Sequence, residues 1–448
     1  LFFKCQIMQR ERAPLKEIFG WAMFDFANSS YTTVIVTVVF SVIFPRIIVG
    51  DAPEYRMGNF LWSLSLSISY LVIVLTAPVI GAIMDYSASK KRFLFSSYIL
   101  TVFSTIALYF AEPGNYILAM LLVIISNIGF AYGESFVSSF LPDLGPQEDL
   151  GKISGFAWGL GYFGGLTSTA IVLAVIGDIT LENYERLKLV GPITGLFFLI
   201  AGIPTFLFLK ERGIAKPLPK GSSYIQVGWS RIIQTFKEIQ DFRDLAVFFV
   251  SMFFSQAGLS IVISFAFIYG DQIIRWSSGT MALMFVITQF TAAAGAFIFG
   301  FLQDKIGSLK TYIYTLIVWI LSIFSIYFTE EIAGFINNVM STGFSTEQVF
   351  LIVGCLAGLG LGATQSAGRA IVGIFSPESK SGEFFGFWGL AGKLSSIFGL
   401  LGLGILQSYL GLKNAVLFTA ILFVISIIIA FFVNEDRGKQ SAIKHEGE

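Results

Sequence analysis

One histidine stands in the whole chain, His445 near its end, and there are only two cysteines, Cys5 and Cys355. That scarcity excludes a histidine-ligated metal site, a Ser-His triad and a histidine proton relay, and it leaves no basis for a disulfide framework. Charge is scarce as well. Asp, Glu, Lys and Arg make up 13% of 448 residues, about half the share that solvates the surface of a soluble chain. Basic and acidic residues balance at 29 each, which removes the positive excess that a nucleic-acid partner would need. No ATPase signature is present, so active transport by this chain would draw on a gradient. Two glycine motifs are decoys. Gly159-x-Gly161-x2-Gly164 has no strand before it, and the run from Gly386 to Lys393 has Phe387 and Leu394 where a phosphate loop needs Gly and Ser/Thr.

What is abundant is apolar: 55% hydrophobic residues and a mean hydropathy of +0.76. A helix crossing about 30 Å of hydrocarbon needs about 20 apolar residues. Runs of that size are expected near 19–45, 59–84, 93–111, 115–141, 152–176 and 189–209, then 244–270, 279–303, 310–329, 348–375, 384–408 and 413–433. The chain is thus an all-α polytopic membrane protein with twelve transmembrane helices. It divides into an N-terminal six-helix bundle (1–209), a linker (210–243) and a C-terminal six-helix bundle with a short tail (244–448). In the linker, Ile225, Trp229, Ile232, Phe236 and Ile239 recur at helical spacing among basic residues, the pattern of a helix lying in the membrane interface. Leu1 in place of Met suggests a trimmed or alternatively initiated chain, and the first span is expected to act as an uncleaved signal anchor.

The basic residues set orientation. Twenty-one fall on the side that holds both termini and the linker, six (Arg46, Arg56, Arg186, Lys188, Arg275 and Lys413) on the other, and Arg369 and Lys393 lie within spans. Both termini are therefore expected in the cytoplasm, with the protein in the plasma (inner) membrane.

The two halves repeat. Gly81-x3-Asp85-x3-Ser89-x-Lys91 after the second span matches Gly300-x3-Asp304-x3-Ser308-x-Lys310 after the eighth, with Lys305 in the second copy. Gly151-x3-Gly155-Phe156-x4-Gly161 matches Gly382-x3-Gly386-Phe387-x4-Gly392, and Pro142 matches Pro377. Two parallel six-helix repeats resemble the pseudo-symmetric bundles of major facilitator transporters, in which one bundle rocks against the other. Glycines at small-xxx-small spacing, such as Gly354, Gly358 and Gly362, are suited to close helix packing.

Four ionisable residues fall inside spans: Asp25, Glu134, Arg369 and Lys393. Each would cost roughly 2.5–3.5 kcal/mol at the bilayer centre if unpaired. Counted along their helices, all four lie about 10–14 Å inside the cytoplasmic boundary. Glu134 and Arg369 are repeat mates of opposite charge, which makes them an expected pair. Such a layer is suited either to a gate or to a site for a zwitterion, and Glu134 is the candidate for proton coupling. Asn28, Tyr31, Gln256 and Gln365 are the polar neighbours with a claim on the same cavity, against the alternative of interhelical hydrogen bonds.

Trp21-x3-Asp25-Phe26-Ala27-Asn28-Ser29-x-Tyr31 resembles the opening signature of the vacuole effluxer-like branch of the major facilitator superfamily. Gln365-Ser366-x2-Arg369 and Glu383-Phe384-Phe385-Gly386-Phe387-x5-Lys393 resemble its second-half signatures. Phe24 departs from the Tyr usual before the Asp, and Tyr86 and Ala88 replace the basic residue and glycine usual after span 2, whereas Lys305 and Gly307 keep them in the second copy. The resemblance implies twelve spans, no cofactor and export of small molecules, neutral amino acids above all. The function expected is secondary active transport of a small polar metabolite by a monomer in the lipid bilayer, with protons as candidate co-substrate. The alternatives are a transporter-derived sensor or scaffold without flux, and a membrane-embedded enzyme, for which no catalytic constellation is found.

Overall fold

The computed structural model describes residues 12–145, 147–212, 217–218, 221–239, 242–341, 343–376 and 381–444. Among them are twelve helices long and apolar enough to cross a bilayer, here numbered as spans 1 to 12. They are Leu15–Val49, Arg56–Met84, Lys90–Phe110, Tyr116–Ser138, Phe156–Ile176, Leu181–Phe208, Arg243–Ile274, Ser278–Gln303, Ser308–Tyr327, Thr346–Phe375, Phe384–Leu410 and Leu412–Ala430. No strand occurs among the described residues, as expected where lipid leaves backbone groups no partner outside the helix. Span 1 outruns its sequence-derived limits at both ends. Part of it, over Tyr31–Val38 and Phe44–Val49, winds in wide i→i+5 turns that rise less per residue, so more residues are needed for the same thickness.

Packing repeats between the halves. Span 1 lies on spans 5 and 6, span 3 on spans 4 and 6, and span 2 on span 4. The same five pairings recur as 7 on 11 and 12, 9 on 10 and 12, and 8 on 10. Glycine sets the closest approaches. A Cβ on Gly164 would sit 2.0 Å from the Phe26 carbonyl oxygen, and one on Gly362 would sit 1.9 Å from that of Ala292. Gly159 and Gly386 face open space. The seams between halves differ: span 2 runs along span 11, while spans 5 and 8 meet at few points.

At the end holding both termini, each half is closed by an acidic clasp. Glu17, in the first turn of span 1, accepts from the Lys210 amide and both terminal nitrogens of Arg212, while Glu211 accepts from the Lys91 amide at the start of span 3. In the second half Asp244 accepts from the Asn434 amide and from Arg437 at 2.6 and 2.8 Å, while Glu435 accepts from the Ser308 and Leu309 amides at the start of span 9. A carboxylate at a helix N-terminus meets otherwise unsatisfied N–H groups and the positive end of the helix dipole. Burial raises Glu435, but hydrogen bonds from Lys439, Leu309 and Ser308 outweigh it and hold the carboxyl below its ordinary value.

The repeated loop motif is used unequally. Lys91 donates to the Leu209 carbonyl at 2.5 Å, whereas Lys305 and Lys310 are exposed, and no atom lies near a Cβ built on Gly81 or Gly300. The engaged lysine is thus in the first copy, the one that departs from the superfamily pattern. The side chains of Asp85 and Asp304, and the whole of Pro377, fall outside the described residues. Ala88 takes the left-handed conformation at φ +47°, whereas Gly307 in the second copy has a positive φ of +95° with an extended ψ.

Among the described residues, three helices of ten or more residues do not cross. Tyr224–Ile239 in the linker packs on span 2, with Gly228 against the Pro78 carbonyl and Ile225 and Phe236 exposed. Thr329–Met340 follows span 9, and Glu435–Lys444 forms the tail. Neither of the last two was legible as an apolar run.

Candidate substrate site and gate

Lys393 on span 11 reaches across to Glu134 on span 4, Nζ to Oε2 at 3.4 Å, and lies 5.4 Å from the Tyr70 ring centroid on span 2. Asp25 on span 1 is half-buried, and Glu134 is the charge acting on it. The Lys393 ammonium is thus held by one carboxylate, that of Glu134. The expected pair of Glu134 with Arg369 is not formed. Arg369 is instead held between two indoles, 5.9 Å from Trp158 on span 5 and 5.7 Å from Trp388 on span 11. Glu134 and Arg369 are repeat mates in the sequence, but Glu134 meets Lys393 while Arg369 lies against the two indoles.

Arg369 has no carboxylate partner among the described residues. Cation–π contacts of this kind leave the guanidinium N–H donors available to a carboxylate. Gln256, Gln365, Ser255 and Thr364 surround it in a nook of about 10 Å³, room for about one water. Trp388 is itself fixed, its indole N–H 2.8 Å from the Met252 sulfur.

Two of the expected neighbours turn elsewhere. The Tyr31 hydroxyl bonds to Ser126 at 2.7 Å, its ring stacks on Phe130, and it is fully buried inside the first half rather than facing the seam. Asn28 is also buried, with its Oδ1 lacking a hydrogen-bond partner among the described residues. Trp158 and Trp388 were missed in the sequence, although both stand just after the repeated Gly-Phe pair, Gly155-Phe156 and Gly386-Phe387.

At the end opposite the termini the halves are bonded together. Arg46 at the end of span 1 pairs with Asp271 at the end of span 7. Beside it, Asn59 and Gln272 exchange two amide hydrogen bonds of 2.7 and 2.9 Å. Ser278 donates to Asp178 at 2.7 Å, Arg56 to the Ser408 carbonyl at 3.1 Å, and Gln407 to the Arg56 carbonyl at 2.8 Å. This end is closed. In the sequence Arg46 and Arg56 had served only to set orientation.

Twelve spans in two repeated sets of six, meeting at a polar seam, define a secondary transporter of the major facilitator fold. Solved structures carry the same fold. The nucleoside transporter NupG superposes with a TM-score of 0.67 at 14% identity, covering 92% of this chain and 98% of its own. A D-xylose-proton symporter does so at 0.67 and 14%, covering 95% and 99%. The chain belongs to the vacuole effluxer Atg22-like family, whose model matches residues 60–151 and 147–443. The motif at Trp21 to Tyr31 precedes the matched residues. Among relatives, the Bacillus subtilis protein designated "Uncharacterized MFS-type transporter YxiO" is 28% identical over 424 residues, 93% of this chain and 94% of that protein. The Penicillium rubens autophagy-related protein 22-1 is 22% identical over 466 residues, 87% and 77% respectively.

Proposed function

We propose that this chain exports small zwitterionic metabolites, amino acids first among them, by alternating access with proton coupling, and has no enzymatic activity of its own. The observation that carries this reading is the Arg369 guanidinium, which lies against Trp158 and Trp388 and whose N–H donors have no carboxylate partner among the described residues. A substrate carboxylate meets those donors. Its ammonium meets the carboxylates of Asp25 and Glu134, in competition with Lys393. A proton taken up there balances the charge that a departing ammonium leaves behind.

The same reading divides the chain at 1–209, 210–243 and 244–448. It places the protein in the plasma membrane as a monomer with both termini in the cytoplasm, where the basic residues gather. The bonds from Arg46 to Asp271 and from Asn59 to Gln272 are then the external gate, shut in an inward-facing state.

The test is counterflow and uptake in proteoliposomes over an amino-acid panel, with and without a pH gradient. Saturable exchange that is lost in Arg369→Gln supports the assignment. Binding of amino acids without any flux would make the chain a sensor, and indifference to Arg369 would remove the substrate site.

A further inference from the structure

A cavity at the closed end holds about 210 Å³ and is separate from the Arg369 nook. Arg46, Asp178 and Thr180 line it from the first half, and Asp271, Trp276 and Ser278 from the second. Its charged groups are not used up by one another. Arg46 is bonded to Asp271 through Nη1 alone, which leaves its other N–H donors without a partner among the described residues. Asp178 accepts from Ser278 through Oδ1, and its Oδ2 has no partner among them. The lining thus carries one guanidinium and two carboxylates, a surplus of one negative charge that calls for a cation, beside spare donors that call for an anion. Trp276, packed on Phe267 and Phe350, supplies a fixed aromatic wall.

We infer that this cavity is a second binding site, for an α-ammonium carboxylate whose ammonium meets Asp178 and whose carboxylate meets Arg46. The inference rests on the amino-acid reading and the orientation given above. Asp178 and Arg46 hold the ligand from the first half, while Asp271, Trp276 and Ser278 wall it in from the second, so a ligand there packs against both halves and loses the second when the external end opens. Such a ligand stabilises the inward-facing state by mass action. An exporter with this site is held shut by its own product accumulating outside.

Calorimetric titration of the purified full chain separates the two sites, using glycine, alanine, leucine and glutamine as probes, with butylamine and butyrate as single-charge controls. At least one amino acid is expected to bind wild type with a component that survives Arg369→Gln. That component weakens about tenfold or more in Asp178→Asn, as loss of a charge-assisted contact requires. Thr180→Trp, which fills the cavity and leaves every charge in place, should remove it too. If no component survives Arg369→Gln, or if the survivor ignores both cavity variants, there is no second site. Butylamine binding as tightly as the amino acids would overturn the ligand class. A titration sensitive to Asp178 but not to Arg369 would keep this site and refute the central one.

Discussion

Glu134 and Lys393 meet at 3.4 Å across the seam between the two halves, while Arg369 lies against the indoles of Trp158 and Trp388 with no carboxylate partner among the described residues. The seam therefore holds one committed cation and one available cation. Removing the committed one leaves Glu134 without its counter-charge.

Glu134→Gln is expected to abolish pH-driven accumulation while permitting counterflow, and Lys393→Met to reduce both. In a double-mutant cycle on thermal stability the pair should couple by only about 0.5–1 kcal/mol, since both side chains are partly exposed. Unchanged pH dependence in Glu134→Gln would remove that residue from coupling.

Asp271→Asn breaks the ion pair that joins spans 1 and 7 at the closed end. A loss of about 1.4 kcal/mol from the closed state shifts the two-state balance about tenfold. A reporter cysteine at Gln256 in an otherwise cysteine-free background should then react correspondingly faster with an impermeant maleimide added outside. Equal rates would mean that the bonds of Asn59 and Gln272 hold the gate without Arg46.

The acidic clasps predict matched costs in the two halves. Glu17→Gln and Asp244→Asn each strand a multiply bonded arginine and a backbone amide, and each should destabilise by about 1–3 kcal/mol. A melt that responds to one and not the other would break the symmetry of the argument.

Glu435 gives the clasp a pH signature. A carboxyl held below its ordinary 4.5 contributes stability above the unfolded pKa and loses it as pH falls through the lower folded value. Melting temperature should therefore decline as pH is lowered past 4.5, and less steeply in Glu435→Gln. Parallel curves would show that capping span 9 carries no weight.

Glycine substitutions should divide sharply. Gly164→Ala and Gly362→Ala push a methyl into backbone carbonyls, at about 1–3 kcal/mol, whereas Gly159→Ala and Gly386→Ala meet nothing and should be neutral or slightly stabilising. Ala88→Gly, at φ +47°, should gain up to about 1 kcal/mol by relieving left-handed strain. Detergent melts of the five variants measure all of these at once.

Much of the fold could be read in the residues, because lipid makes each crossing a local property of about 20 consecutive side chains. The linker helix was visible for the same kind of reason, its period from Ile225 to Ile239. The helix Thr329–Met340 was not, because its apolar residues are too few to stand out beside span 9. The clasps of Glu17 and Asp244 escaped too. Their partners lie nearly 200 residues away, and the residue types alone look like ordinary boundary charges.

The sequence by itself determined the twelve crossings, the duplicated halves, the sidedness of the basic residues and the presence of four charges within the spans. Each follows from hydropathy or spacing along one strand of chain. Only the tertiary structure decided which charges meet. Lys393 rather than Arg369 finds Glu134, Trp158 and Trp388 take the arginine, and Tyr31 turns away from the seam. Pairing across two bundles depends on how each helix is rotated and how the bundles are set against each other. Those are relations between distant segments that no local pattern encodes.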